Sequence, residues 1–261
     1  MITLRRLLPS LTALLALAAP VSAAEVNAAA TYSVSLGGTL IADVVVRLND
    51  TGHRYAMALD ARVTGLAQFV ASGSARVASA GLSTGGGLVS EKFDMLTRAE
   101  GENITVEIEY AQKDVTAFIV TPPVLNNIDR VALERKHLHG VNDMLAPFVL
   151  KGGSLDRNLC DRRLQIFTGV ERFNVSMRFA KQEVATSKRT GYQGPVVLCT
   201  ARYTPVSGHY TSSEITNYLA SSERILVWFA PLRTPGYFIP YRALLATSVG
   251  DLSIVLTKLE Q

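Results

Sequence analysis

The sequence predicts an all-β protein: one large antiparallel sheet curled into an open or closed barrel-like shape, with one or two short helices. Three observations carry this reading. Apolar and polar residues alternate with a period of two along most of the chain, as in strands with one packed and one wet face. Turn signals such as Gly37-Gly38, Asn49-Asp50-Thr51-Gly52 and Gly85-Gly86-Gly87 separate the runs, and connections this short join antiparallel neighbours. The runs are numerous, about a dozen, and a sheet of that size has to curl, split or close to manage its edges.

The first residues stand outside this pattern. Arg5 and Arg6 precede the apolar run Leu7 to Ala19, and Val21-Ser22-Ala23 supplies small residues before Ala24. This is the layout of a cleaved export signal, and the run is short for a membrane span, which takes roughly 20 apolar residues. Residues 1–23 are therefore read as a signal peptide cut after Ala23, and 24–261 as a single β domain. An uncleaved N-terminal anchor is the competing reading. No Cys follows the small residues, so a lipoprotein anchor has no support.

In the first half, Tyr32, Val34 and Leu36 alternate with Ser33 and Ser35. Val44, Val46 and Leu48 follow, and then Tyr55, Met57, Leu59, Ala61 and Val63. These three runs predict a meander. A weaker strand over 69–80 and one over 88–97, with Phe93 and Met95 inward, lead to the clear alternation Ile104, Val106, Ile108, Tyr110 and then to 115–121. Pro122-Pro123 ends this half, and a polar segment runs from Asn126 to Gly140. Asn142 to Leu150 predicts a short or kinked helix capped by Asn142 or Asp143, because Pro147 is awkward beyond a first helical turn. This segment is a candidate domain boundary. A single domain is preferred, since the strands before it would otherwise lack a second layer to bury their faces.

The second half resumes the alternation. Leu164 and Ile166 lead to a turn at Gly169, and Phe173, Val175, Met177 and Phe179 form the next run. After the turn from Gly191 to Gly194, Val197, Cys199, Ala201 and Tyr203 share one face. Residues 211–221 predict a helix capped by Ser212 or Ser213. Ile225 to Phe229 is apolar on both faces, and Tyr237 to Ala246 with Leu252 to Leu259 predict a last hairpin.

Composition narrows the function classes. The chain has 26 Lys and Arg against 22 Asp and Glu. Loss of Arg5 and Arg6 leaves 24 against 22, a dispersed excess that is no nucleic-acid footprint. An outer-membrane barrel also alternates, but it needs regular strands and aromatic girdles, and this chain has one Trp. The expectation is a protein that does not span the membrane once the signal is removed.

Cys160 and Cys199 are the two cysteines. In an exported protein such a pair reads as a disulfide. The alternative, a Cys nucleophile with a His base, finds no active-site signature around Cys160. Other chemistry is thin. His137 and His139 would share one face of a strand, with Glu134 and Asp143 nearby, but no third ligand is convincing. His209 lies in the turn-like Gly208-His209-Tyr210. No G-x-S-x-G motif occurs. The Gly85 to Gly87 run leads to a strand, whereas a phosphate loop leads to a helix. Glu107 and Glu109 read as the wet face of one strand. The sequons at Asn49, Asn103 and Asn174 read as coincidence. Catalytic residues, metal ligands and cofactors are each expected to be none.

Several stretches together resemble a known family. They are Tyr32 to Leu40; Leu138-His139-Gly140-Val141-Asn142-Asp143-Met144-Leu145; Cys160-Asp161 followed by Ile166 to Phe173; Gly194-Pro195 leading to Cys199 and then Tyr203 to Gly208; and Trp228 to Pro231 with the terminal hairpin. In this order they resemble the exported bacterial family catalogued as domain of unknown function 3108. The resemblance implies an exported, mainly β envelope protein with the two Cys paired. It carries no catalytic residues. The resulting expectation is a periplasmic, non-enzymatic protein that binds a lipid or other amphipathic envelope component in its interior. The alternatives are a scaffold for other envelope proteins, which would use a sheet edge, and a hydrolase.

Overall fold

A computed structural model describes residues 25–65, 72–124 and 128–261. The signal segment with Ala23, the start of the predicted 69–80 strand and Asn126 lie outside the described residues. Fourteen strands form one antiparallel sheet that does not close.

β1 (Val26–Leu36), β2 (Thr39–Asp50), β3 (Arg54–Val63), β4 (Gly73–Thr84), β5 (Gly87–Ala99), β6 (Glu102–Ala111) and β7 (Asp114–Thr121) form a first meander. The second comprises β9 (Arg162–Phe167), β10 (Arg172–Ala185), β11 (Gly194–Ser207), β12 (Ile225–Pro231), β13 (Tyr237–Thr247) and β14 (Gly250–Glu260). The two-residue β8 (Leu150–Lys151) pairs with β13. The meanders join where β1 pairs with β14, Thr31 opposite Lys258. β7 and β9 are therefore the outer edges.

The period of two sorts residues as the sequence predicts. On β6, Val106, Ile108 and Tyr110 are buried while Glu107 and Glu109 are exposed. The outward faces carry charge, as in the Arg47–Asp60 pair at 2.9 Å. No helix among the described residues is long and apolar enough to cross a membrane, which says nothing about crossing by strands.

The two edges meet at a seam without pairing as strands. Phe118 of β7 and Phe167 of β9 stack edge-on with ring centres 5.2 Å apart. The Tyr110 hydroxyl donates to the Phe167 carbonyl at 3.4 Å. Residues 141 and 142 stitch the gap. Val141 N–H donates to the Lys113 carbonyl at 2.7 Å and Asn142 N–H to the Gln165 carbonyl at 2.9 Å, while Phe167 N–H donates to the Asn142 carbonyl at 2.9 Å. The turn after β9 presses on β6 here. A Cβ on Gly169, whose φ is +89°, would lie 2.3 Å from a Val106 methyl, so both conformation and space require glycine.

Two expected local structures change. The helix expected over 142–150 is a single 3₁₀ turn, Ala146–Phe148, because Pro147 removes an N–H that an α-helix would use and Asp143 ties back the residues before it. The strand-like spacing of His137 and His139 is also absent, since Arg135–Leu138 is a 3₁₀ turn. The expected helix over 211–221 does form, as α1 (Glu214–Ser221), with the Ser213 hydroxyl accepting from Thr216 N–H.

Candidate functional site

The curled sheet encloses an apolar cavity of about 530 Å³. Small side chains create it. Ala28 and Ala30 of β1, Ala201 of β11 and Ala243 of β13 line it, and larger side chains at these inward positions would take up its space. Protein interiors otherwise pack to crystal-like density. The remaining wall is mostly Val, Leu, Ile, Met and Phe, and among the described residues it carries no charged side chain. Its two tyrosines are Tyr32 and Tyr203. The Tyr32 hydroxyl donates to the Pro240 carbonyl at 2.9 Å, and burial raises its pKa.

Burial along the strands shows which end opens. On β1, Ala28, Ala30 and Tyr32 are buried and Val34 is half-buried. On β2, Leu48 is buried, whereas Val46 and Val44 are half-buried. Met57 and Leu59 of β3 repeat the gradient. The cavity therefore has a floor near Leu48 and Met57, and a mouth near Val34, Leu245 and Ile254. Leu219 of α1 stands at the mouth.

The floor is sealed by the segment from Val141 to Cys160. Its apolar members Met144, Leu145, Phe148 and Val149 face the cavity, and buried polar contacts fix it from behind. One Asp143 carboxylate oxygen accepts from the Ser79 hydroxyl at 2.5 Å and the Ser90 hydroxyl at 2.6 Å. The other accepts from the N–H groups of Leu145 at 2.6 Å and Ala146 at 3.0 Å. Tyr55 completes the chain at Ser79, 2.9 Å away. Burial and then the charge of Asp143 raise the pKa of both Tyr55 and Tyr110.

A second network ties Lys151. Its ammonium donates to Ser83 at 2.8 Å and Tyr237 at 2.9 Å. The hydroxyls of Ser83 and Tyr237 donate in turn to Asp50, at 2.6 and 2.9 Å. A buried charge is tolerable only when its partners are in place, and here they come from β2, β4 and β13.

Cys160 and Cys199 form a disulfide, with Cα atoms 5.4 Å apart. Cys160 ends the 3₁₀ turn Arg157–Cys160, and both sulfurs sit in a fully buried cluster with Phe229, Val197 and Ile166. The bridge thus pins the far end of the floor segment to β11.

The histidines separate. His137 Nδ1 accepts from the Glu134 N–H at 3.1 Å. His139 lies 3.0 Å from Asp114, whose pKa is lowered by that contact and by the Gly140 N–H. Asp143 points away into the floor. His209 has a buried Nδ1 without a hydrogen bond. The sequence reading did not identify Asp50, Asp143 and Lys151 as one floor, nor the inward alanines as a void. Alternation begins at Val26, and alanine at successive inward positions of β1 was the available signal.

A family model described as "Protein of unknown function (DUF3108)" matches residues 31–257. The chain belongs to this DUF3108 family. The family match covers β1 from Thr31 onward, β2, the floor segment, both cysteines and β14 as far as Thr257. The DUF3108 fold seen here is similar to a crystal structure described as a beta-barrel-like protein of domain of unknown function DUF1849 from Brucella abortus. The TM-score is 0.51 and the identity 12%, over 90% of this chain and 97% of that one. At that identity the likeness is one of fold. No curated protein matches the chain.

Proposed function

We propose that this DUF3108 protein is a non-enzymatic binder of an apolar or amphipathic component of the bacterial envelope, held inside the curled sheet and acting in the periplasm. The observation that carries this reading is the cavity of about 530 Å³ with an apolar wall and one open end. Ligand sites have this size and character. The disulfide supports an oxidising compartment.

The test is native mass spectrometry of the protein purified from its own envelope, followed by organic extraction. We expect a bound lipid-like mass that extraction removes, and displacement of a fluorescent naphthylamine probe by added amphiphile. A protein that carries nothing and does not bind the probe would sink the proposal.

The β7 edge supports a second reading, a scaffold that pairs with another envelope protein. Among the described residues β7 pairs as a strand only with β6, and it exposes Phe118 and Ile119. A free edge of this kind is a template for strand addition.

A further inference from the structure

The cavity's dimensions and its polar groups narrow the ligand class, on the premise that the cavity binds a ligand at all. Ala28, Ala30, Tyr32 and Val34 all line it from one face of β1. The six steps from Ala28 to Val34 span about 20 Å. If β1 tilts about 40° to the axis of the curled sheet, as barrel strands do, the depth is about 15 Å. A volume of about 530 Å³ spread over such a depth leaves about 6 to 7 Å across for the centres of enclosed atoms, which sets the wall surfaces about 9 to 10 Å apart. Non-bonded carbons sit about 3.5–4.0 Å apart, so one extended hydrocarbon chain fits between the walls.

The polar groups of the wall are placed to receive nothing deep inside. The Tyr32 hydroxyl spends its proton on the Pro240 carbonyl. The charged groups at the floor lie behind Leu145 and Val149, with Asp143 held by Ser79 and Ser90 and Lys151 by Ser83 and Tyr237. A charged head drawn into the lumen would lose its hydration with no partner in return. Tyr203, in the half-buried mouth region beside Phe173 at 5.2 Å, is the one lining hydroxyl that could meet a head group.

We infer that the ligand enters tail-first, that its head stays at the mouth, and that the protein selects for chain length and not for head group. The inward alanines set the depth available. Ala30 lies below Tyr32 toward the floor, so a larger side chain there shortens the lumen from its closed end.

The experiment is displacement of a fluorescent naphthylamine probe by lysophospholipids of increasing chain length. Each chain is presented with a zwitterionic phosphocholine head and with an anionic phosphoglycerol head. Affinity should rise about fourfold per methylene, the equivalent of about 0.8 kcal/mol, and then level off once the chain fills the lumen. Exchanging the heads at constant chain should change affinity less than about threefold, because both stay in water. Ala30→Phe should move the plateau to shorter chains. Ala243→Leu, at a half-buried wall position, should weaken binding of all chains and serves as the milder variant if Ala30→Phe misfolds.

A head-group effect above about tenfold at constant chain would overturn the inference, as would a plateau that a folded Ala30→Phe leaves in place or a folded Ala243→Leu that binds every chain as tightly as the parent. In each of those cases the cavity still binds, so the broader proposal stands. Failure of every lysophospholipid and of the probe would overturn both.

Discussion

The two ends of the cavity are built on opposite principles. The floor is polar behind an apolar face. Asp143, Ser79, Ser90 and Tyr55 on one side, and Asp50, Ser83, Lys151 and Tyr237 on the other, saturate one another. The mouth has few such ties. Val34, Val44, Leu245 and Ile254 are half-buried, and the exposed Arg224–Asp251 pair at 2.9 Å is of a kind that contributes little. A directional network makes one arrangement much better than its alternatives, whereas apolar contact tolerates rearrangement at small cost. The floor is therefore the fixed end, and the mouth is the end that can admit something.

The most severe way to break this contrast is Asp143→Ala. Four donors lose their acceptor, and each buried donor left unpaired costs about 1–3 kcal/mol. We expect a loss of about 4 kcal/mol or more in denaturant titrations, with exposure of the floor segment to hydrogen exchange. A loss below about 1 kcal/mol would mean that the floor is not the fixed end.

The disulfide comes next. It closes a loop with a sequence separation of 39, worth up to about 4 kcal/mol in the loop-entropy treatment. Reduction, or Cys199→Ser, should lower the melting temperature while leaving a defined fold. An unchanged melting temperature under reductant would show that the polar networks hold the floor segment without it.

Alkaline titration distinguishes the two ends most finely. Burial, and after it the charge of Glu171, raises Tyr203 in the mouth half from its ordinary 10.0 to about 12. Tyr55 and Tyr110 at the floor are raised further. A hydroxyl that holds its proton longer in the folded state adds stability that is fully present below pH 10.0 and lost as the pH rises through the folded value. Stability should therefore be flat up to about pH 10 and fall between about 10 and 12. Tyrosinate absorbance should show Tyr203 ionising before the floor tyrosines, which follow only as the protein unfolds. Simultaneous ionisation of all of them in a still-folded protein would contradict the buried floor.

The strands and their inward faces were legible in the sequence because alternation is a local property. Val106, Ile108 and Tyr110 against Glu107 and Glu109 needed no knowledge of the rest of the chain. Cys199 was legible for the same reason, as it shares the apolar face of its strand. The floor was not. Asp143 meets Ser79 and Ser90 across 64 and 53 residues, and a lone Asp beside an Asn reads as a helix cap until those serines are placed. Pro147 gave the correct warning, although the outcome was a single 3₁₀ turn and not a kinked helix. The void was illegible for another reason. Alanine is ambiguous on a strand, and only the curl of the sheet brings Ala28, Ala30, Ala201 and Ala243 to one cavity.

The pairing of β1 with β14 bears on how the protein is made. A chain that emerges from its N-terminal end has β1 to β7 long before β14, and β1 waits with one side unpaired. That open side invites pairing with other chains, and its proper partner arrives only after nearly all the described sequence has followed. Contacts so distant along the chain make folding slow. In a crowded cell, early protection of β1 would matter more for yield than any contact in the finished cavity.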